Sequence, residues 1–502
     1  MDLPVASFAQ DQAPLTAVSG MALNVLPKTK LSRGPCKALV AATNALTNRC
    51  QGAGSFRGKD GTIATFGGDD TKLYLKTDAT FSDVSRLAGG AYGTPENRFW
   101  RFGKYGSYVI AVNGFDAPQY WQIGVSTNWA ALSALGDTPP EGAMDIAVCR
   151  EYVFMAQSLS DNTALQWSAS DDITGWTAGI GLSGIQTFPD GGQIVGLRGG
   201  RTILVFLENK IFEGTFVGPD DVFQFDEISI ERGCAAQGSI AAYQNLTFFL
   251  AYDGFFMIGP NGITPIGDGI IDNTFWGRNP DISGISIDNL HRVTAVCDPV
   301  LKHYRVSFPS TSSGSGSCDT QFIYSWADQE WTMAQYNLDY LFRARTGEGL
   351  TLEDLDALYP GGLETIPYSL DSYRFAGNPQ ESLAAFGTDK KMGYFDGANL
   401  AATIDSIEGE IVPGRKARIR SVRPIVDGGA PTVRVGIRDD KLNDTPRLTN
   451  AIAQRDTGRC PFATQRTRGR YHRARFEMPA GQVWNDFQGF DVSVLEAGHE
   501  AS

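Results

Sequence analysis

QIVGLRGGRTILVFLENKIFEGTFVGPDDVFQFDEISIERGCAAQGSIAAYQNLTFFLAYDGFFMIG, residues 193–259, decides how the chain is read. It holds two apolar runs of strand length, Ile203–Leu207 and Leu246–Tyr252, each followed by a polar turn and a second apolar run. Val, Ile, Phe and Tyr dominate these runs, and such side chains pack well on a pleated surface. The runs are too short, and too closely bounded by Gly, Pro and Asp, for helices of ordinary length. Asp253-Gly254 is the dipeptide that most readily takes positive φ at both central positions of a two-residue hairpin. The stretch predicts a string of antiparallel hairpins.

The same pattern extends on both sides. Thr62–Phe66 and Lys72–Leu75 flank Gly67-Gly68-Asp69-Asp70, and Tyr108–Val112 leads through Asn113-Gly114 to Gln119–Ile123. Asp145–Ala156, Leu165–Ser168, Ile194–Leu197, Ile211–Phe216, His291–Val296, His303–Phe308, Phe322–Trp326, Trp331–Ala334, Ser382–Gly387 and Met392–Phe395 continue it. Strand–turn–strand pieces ending near Trp recur at intervals of about 40–50 residues, the blade length of a propeller. Closing into a ring also removes the exposed edges of so many short strands. The expected fold is therefore all-β. A closed β-propeller of six to eight blades is expected over 51–405, with an N-terminal arm over 1–50 and a β-sandwich or barrel-like module over 406–502. Residues 1–50 offer no convincing strand pairs; they carry Pro4, Pro14, Pro27 and Pro35, and KALVAATNAL reads as one short helix. Ser310–Ser317 reads as a flexible loop. Thr351–Tyr359, with Thr351 as N-cap and Leu352, Leu355 and Leu358 on one face, reads as a short amphipathic helix. In the last hundred residues Ala417–Val422, Thr432–Ile437, Ala474–Met478 and Phe490–Leu495 read as strands.

Composition agrees with many tight turns. Glycine is 57 of 502 residues and aromatics are 11 %, against a usual glycine share of about 7 %. The seven cysteines are odd in number and scattered, without a CxxC pair, and the four histidines have no ligand spacing. A disulfide framework, a zinc site and a cofactor are thus not expected, and a reducing compartment fits. MDLPVASFAQDQ lacks the basic and apolar regions of a signal peptide. No apolar run approaches the roughly 20 residues that span a bilayer. A soluble chain folded in a cytoplasm, with no stable membrane insertion, is expected.

Charge is unevenly spread. Residues 411–475 hold sixteen Lys/Arg against five Asp, a net of +11, while the remainder holds 27 basic and 51 acidic residues, a net of −24. GRKARIRSVRP (414–424) and TQRTRGRYHRARF (464–476) alternate as one face of a sheet does. The candidate interface or DNA-channel residues are Arg415, Lys416, Arg418, Arg420, Arg423, Arg466, Arg468, Arg470, Arg473 and Arg475. Three readings stay open for them: a solvated strand face, docking onto an acidic protein surface, and contact with DNA phosphates. Trp484 and Tyr471 lie close by in sequence, but they define no aromatic platform for bases.

Catalytic constellations are weak. WSASDDITGW (Trp167–Trp176) resembles the Asp-box turn of sialidase-type propellers, which implies a structural hairpin with Asp172 bound to turn amides and Trp176 packed between blades. Asp220/Asp221, Glu353/Asp354 and Asp439/Asp440 are adjacent acids of the kind that usually sit on solvated turns. No GxxxxGK[ST] loop occurs, and no Gly-x-Ser-x-Gly elbow has triad partners. No catalytic residue is expected.

Three stretches, with the opening one, carry a family resemblance. FRGKDGTIATFGGDDTKLYLK with FSDVSR and RFWRFGKYGSYVIAVNGFDAPQYWQIG covers 56–124. TLEDLDALYP, SLDSYRFAG and LAAFGTDKKMGYFDGANLAATIDS fall within 351–406. GRKARIRSVRPIVDGG, VRVGIR and GRYHRARFEMPAG follow within 414–492. In this order they resemble the β-propeller hub or nozzle tail proteins of short-tailed bacteriophages, also called packaged-DNA-stabilisation proteins. The resemblance implies a virion structural protein assembled in the host cytoplasm. It would form a ring, commonly sixfold, that extends the DNA channel below the portal and adaptor and helps to retain and deliver packaged DNA. Implied partners are further copies of the chain, portal and adaptor proteins above, fibre, spike or needle proteins beside or below, and the genomic DNA. The family has no catalytic site to carry over. The alternative is a tail protein that binds or cleaves glycans in receptor recognition.

Overall fold

The computed structural model describes residues 2–4, 6–12, 19–156, 159–279, 282–345, 361–365, 381–440, 446–453 and 463–496. Its repeating unit is a four-stranded antiparallel meander. The first is built from Gly52–Arg57, Ile63–Gly68, Leu73–Thr77 and Thr80–Asp83, each strand paired with the next. Four more follow, beginning at Arg101–Tyr105, Asp145–Cys149, Ile194–Arg198 and Ala241–Tyr243. Two-residue loops do much of the joining: Cys149 pairs with Tyr152 around Arg150-Glu151, and Tyr105 pairs with Tyr108 around Gly106, where φ is +58°.

The turn at Asp253-Gly254 is placed one residue differently from the expectation. Ala251 pairs with Gly254, so the loop is Tyr252-Asp253 and Gly254 opens the next strand. Glycine is needed at 254 for another reason. A Cβ there would stand 2.1 Å from Asp272 Oδ2, on backbone already at φ +146°.

A second local device recurs, an Asp whose carboxylate takes both the backbone N–H and the hydroxyl of a Thr two residues on. It occurs at Asp60–Thr62, Asp69–Thr71, Asp161–Thr163 and Asp172–Thr174. These Asx turns offer the backbone the partners that a chain reversal takes away. Aromatic side chains then fill the spaces between successive meanders. Phe66 of the first lies 5.4 Å from Trp121 and 4.9 Å from Trp129 of the second. Phe206 lies 5.3 Å from Phe249, and Phe248 stacks on Tyr304 at 4.9 Å. Each such pair contributes about 0.5–1.5 kcal/mol beyond its buried area.

The chain is all-β with several small antiparallel sheets, but the expected closed propeller is not found. Among the described residues no sheet closes into a propeller or barrel. The five meanders remain separate ladders, and the sixth set, Thr294–Asp298, His303–Phe308, Cys318–Ser325 and Glu330–Arg345, runs on into a 14-stranded sheet. Turn spacing and alternation specify pairing between neighbours in sequence; what the last strand joins depends on partners hundreds of residues away, which local pattern does not encode.

Both ends of the chain depart from expectation for the same reason. The N-terminal region is built of strands. Asp2–Pro4 pairs with Phe487–Glu496, and the hairpin Val25–Thr29/Ser32–Pro35 continues that six-stranded sheet. Ala22–Leu23 lies between Glu330–Arg345, to which it is parallel, and Ala402–Asp405. Its prolines suggested an arm, yet Pro27 sits on the sheet's edge strand beside a bulge, a place where a missing N–H is tolerated. KALVAATNAL is not helical: Val40–Ala45 is a strand paired with Lys391–Tyr394. The C-terminal strands form no separate barrel. Ala417–Val426, Ala463–Gly469 and Phe487–Glu496 belong to the six-stranded sheet, whereas Thr432–Arg438 and Tyr471–Met478 belong to the 14-stranded one. Ile419, Val422, Phe487 and Phe490 from the first and Val433, Val435 and Phe476 from the second share one buried core. The expected helix at 351–359 lies outside the described residues.

Candidate functional site: the arginine-bearing sheet

Alternation along Ala417–Val426 buries Ala417, Ile419, Val422 and Pro424 and leaves Arg418, Arg420, Arg423 and Ile425 exposed. Strict alternation would put Arg423 inside. A register shift between Ile419 and Ser421 adds one residue at Arg420, so Arg423 regains the outer face. Arg415 and Lys416 are exposed just before the strand. On the neighbouring edge strand Ala463–Gly469, Arg468 stands directly opposite Arg418 and is also exposed. Arg466 lies two residues earlier on that strand. On the other side Arg423 faces Asp491 across the ladder. One sheet face thus gathers Arg418, Arg420, Arg423 and Arg468.

Lys416, Arg470, Arg473 and Arg475 make ion pairs within the chain. Arg475 gives Asp405 two hydrogen bonds, 2.6 and 2.8 Å, and Arg473 reaches the same carboxylate at 3.5 Å. Asp405 is 2 % exposed, and its bonds hold the Arg475 guanidinium above its ordinary pKa. Arg470 contacts Glu410 at 2.5 Å, and Lys416 contacts Asp439 at 2.7 Å. Lys416 is also the main reason that the Asp439 carboxyl sits below the usual range. Arg434 pairs with Glu477 at 3.0 Å, and Arg438 with Glu408. The more exposed pairs, Arg470–Glu410, Lys416–Asp439 and Arg434–Glu477, contribute about 0–1 kcal/mol each, whereas Arg438–Glu408 and the Asp405 cluster are buried enough to matter for folding.

The sequence reading missed these acidic partners, although a signal was present. Asp405, Glu408 and Glu410 form a short acidic run immediately before residue 411, where the basic stretch begins. Beginning at 405 sets sixteen basic against eight acidic residues, a net of +8.

The other candidates fall into structural places. Asp172 accepts from Thr174 N at 2.8 Å and Oγ1 at 2.7 Å, and the buried Trp176 donates its indole N–H to the Ile173 carbonyl at 2.8 Å. Asp220 and Asp221 are exposed at a strand-joining turn. Asp439 is bound to Lys416, as above, and Glu353/Asp354 lie outside the described residues. Trp484 is buried against Phe476, 5.9 Å between ring centres, and Arg470 lies 5.4 Å over the Tyr471 ring. Six cysteines, Cys36, Cys50, Cys149, Cys234, Cys297 and Cys318, are buried free thiols. Burial pushes the Cys36 and Cys297 thiols up to about 12, so at neutral pH they behave as small apolar groups.

No protein-family model matches the chain, and no curated protein does. Among solved structures it is similar to a chain of the mitotic checkpoint complex at 10 % identity and a TM-score of 0.39, covering 72 % of this chain and 95 % of that one. The computationally designed Ika8 protein is similar at 9 % identity and TM-score 0.36, covering 79 % and 100 %. BamB from Moraxella catarrhalis is similar at 10 % identity and TM-score 0.35, covering 74 % and 92 %. Likenesses this distant carry no functional argument.

Proposed function

We propose that the chain is a structural subunit of a bacteriophage tail. In this reading it forms a hub or nozzle ring, sixfold by the family resemblance, that continues the DNA channel at the head–tail connection and supports DNA retention and ejection. The sequence resemblance across residues 50–495 suggests the family. The observation that carries the reading to particular residues is the exposed row of Arg418, Arg420 and Arg423 with Arg468, set on a chain whose remainder is strongly acidic. With a Debye length of about 8 Å in physiological salt, such a row attracts an acidic partner only at close range, and it favours pairs that lose water on docking. The facing partner is taken to be the acidic surface of a neighbouring copy.

The test is the double reversal Arg418→Glu/Arg420→Glu. Arg470, Arg473 and Arg475 are unsuitable because they hold Glu410 and Asp405 of their own chain. The expected result is a folded monomer by sedimentation where the parent sediments as a ring, with the variant missing from particles. Assembled particles that leak DNA would instead place the row in the channel. Unchanged assembly and unchanged DNA retention would leave the row as a solvated sheet face and overturn the reading.

A further inference from the structure

The third and fourth meanders leave a cleft of about 350 Å³ between their outer strands. Phe188 and Asp190 line it from the loop after Gly184–Thr187, the last strand of the third meander. Lys210 and Phe212 come from the start of Ile211–Gly218, and Phe225 and Glu227 from Val222–Ser229, the last strand of the fourth. Phe188 is buried, its ring centre 4.7 Å from that of Phe212 and 5.4 Å from that of Phe225. Phe212 and Phe225 are only half-buried, so the cleft has an aromatic lining that is open to solvent.

The charges on its rim do not balance. Lys210 meets Glu227 at 3.2 Å, whereas Asp190 is exposed and forms no ion pair among the described residues. Two carboxylates against one ammonium leave the cleft one negative charge in excess. A ring with a carboxylate beside it is how this chain holds two of its own arginines. Arg86 lies 4.5 Å over the Tyr92 ring and 2.9 Å from Asp116. Arg232 lies 4.1 Å over the Phe256 ring and 2.7 Å from Asp253. A ring's negative face and a carboxylate together suit a flat, weakly hydrated guanidinium better than an ammonium. The cleft offers the same two parts, and among the described residues no arginine lines it.

We propose that this cleft receives the arginine row of a neighbouring copy, with the Arg418 guanidinium on the Phe212 and Phe225 rings and against Asp190. The inference rests on the docking of that row proposed above and names the surface that meets it. Arg418 is exposed and stands opposite Arg468 on its own ladder, so a carboxylate outside the chain relieves a like-charge pair as well as binding a cation. The row lies on the six-stranded sheet and the cleft between two meanders, so the surfaces that meet are unlike. A contact of unlike surfaces, repeated head to tail, generates a ring when its rotation closes.

Sedimentation of the full chain in two double variants tests this. Arg418→Glu/Arg420→Glu reverses the row, and Asp190→Arg/Glu227→Arg reverses the cleft. Each alone sets like charges against each other at every joint, and each is expected to be a folded monomer where the parent is a ring. Mixed in equal amounts they are expected to assemble, because alternating copies oppose unlike charges at every joint. Phe212→Leu keeps the cleft apolar but removes a ring face, and it is expected to weaken the joint about threefold or more. Should Asp190→Arg/Glu227→Arg fail to fold, Asp190→Asn/Glu227→Gln removes charge without adding any, and assembly must weaken there too. The inference is overturned, with the docking of the row left standing, if the reversed row is monomeric but the reversed cleft assembles as the parent does, if the mixture stays monomeric, or if Phe212→Leu leaves the joint as tight as before. A reversed row that assembles as the parent does, or a parent that is itself monomeric, overturns both.

Discussion

The meanders and the two terminal sheets are made of the same strand types but differ in how far apart their partners lie. Within a meander, Tyr108–Val112 finds both of its neighbours inside Arg101–Gln122. In the terminal sheets, Asp2 pairs with Asp491, and Leu23 lies between Met333 and Thr403. Local pairing closes a short loop at small entropic cost. Pairing across most of the chain must be held by interactions strong enough to order distant segments. The shared apolar core supplies part of that, and buried polar pairs add to it. Arg33, wholly buried on the N-terminal hairpin, meets Glu330 at 3.0 Å, and Ser7 donates to the other Glu330 oxygen at 2.7 Å. Between successive meanders, aromatic pairs such as Phe66–Trp129 and Phe206–Phe249 fill buried space.

The largest test of this difference is Glu330→Ala. It strands the Arg33 guanidinium, whose pKa burial already lowers, without its counter-charge. The expected cost is about 3–5 kcal/mol in urea unfolding. Arg33→Met combined with Glu330→Leu is expected to restore most of that loss, because two packed apolar groups need no counter-charge. A cost no greater than that of an exposed pair would show that the N-terminal strands are held by backbone pairing alone.

The next effect lies where the fifth meander meets the N-terminal segment. Asp11 caps the short helical turn Asp272–Phe275 by accepting from Asn273 N, Thr274 N and Thr274 Oγ1. Asp272 beside it is buried, and its carboxyl is pushed up to about 7 by burial, then by Asp11, Asp268 and Asp253, against the Phe255 N–H. A carboxyl whose folded pKa is raised stabilises the fold most while protonated. Its contribution is full below the unfolded value near 4 and is lost as pH rises through about 7. Stability should therefore fall between those limits by at most about 1.4 kcal/mol per pH unit from this group. Asp272→Asn keeps an acceptor for Phe255 N, and it is expected to flatten that part of the profile and to melt above the parent at about pH 8.

What could be read in advance follows the same division. Tyr108–Val112, Ile203–Leu207 and His303–Phe308 are strands with the bounds expected from their apolar runs, because Val, Ile and Phe flanked by turn residues specify a strand locally. Val40–Ala45 reads as helix because its alanines favour one, and pairing with Lys391–Tyr394 overrides that preference. Closure of the sheets is not legible in local pattern, because it belongs to distant pairs. For the candidate site, alternation placed Arg418 and Arg420 correctly on one face. It said nothing of the Asp405 and Glu410 carboxylates that bind Arg475 and Arg470, since those contacts depend on which strand lies alongside.

The Asp-x-Thr turns allow a finer comparison inside the meanders, since one motif occurs at two depths. Asp69 is wholly buried and accepts from Asn48 N, Thr71 N, Lys72 N and the Tyr74 hydroxyl. Asp172 is exposed and serves Thr174 alone among side-chain donors. Asp69→Ala leaves buried donors unmet and is expected to cost about 2–3 kcal/mol, against about 0.5–1 kcal/mol for Asp172→Ala. Equal losses in thermal or urea unfolding would mean that the turn geometry, and not burial of its partners, sets its value.

The smallest effect on stability bears most directly on the arginine-bearing sheet. Arg418 and Arg468 are directly opposite on adjacent strands, and like charges so placed oppose pairing. Arg418→Glu turns that pair into an attractive one, so the isolated chain is expected to gain about 0.2–1 kcal/mol. If the sheet face has no task, that gain comes free, and the variant should be at least the parent's equal in every assay. If the face docks on an acidic neighbour, the same substitution sets like charges against each other across the joint, where repulsion on a desolvated surface is worth several kcal/mol. A variant that melts higher and assembles worse would show that the chain keeps an internally unfavourable arginine pair for the sake of a contact outside itself. A variant that melts lower would show instead that the Arg468 environment already balances Arg418 within the fold, and that the sheet gains nothing from losing its charge.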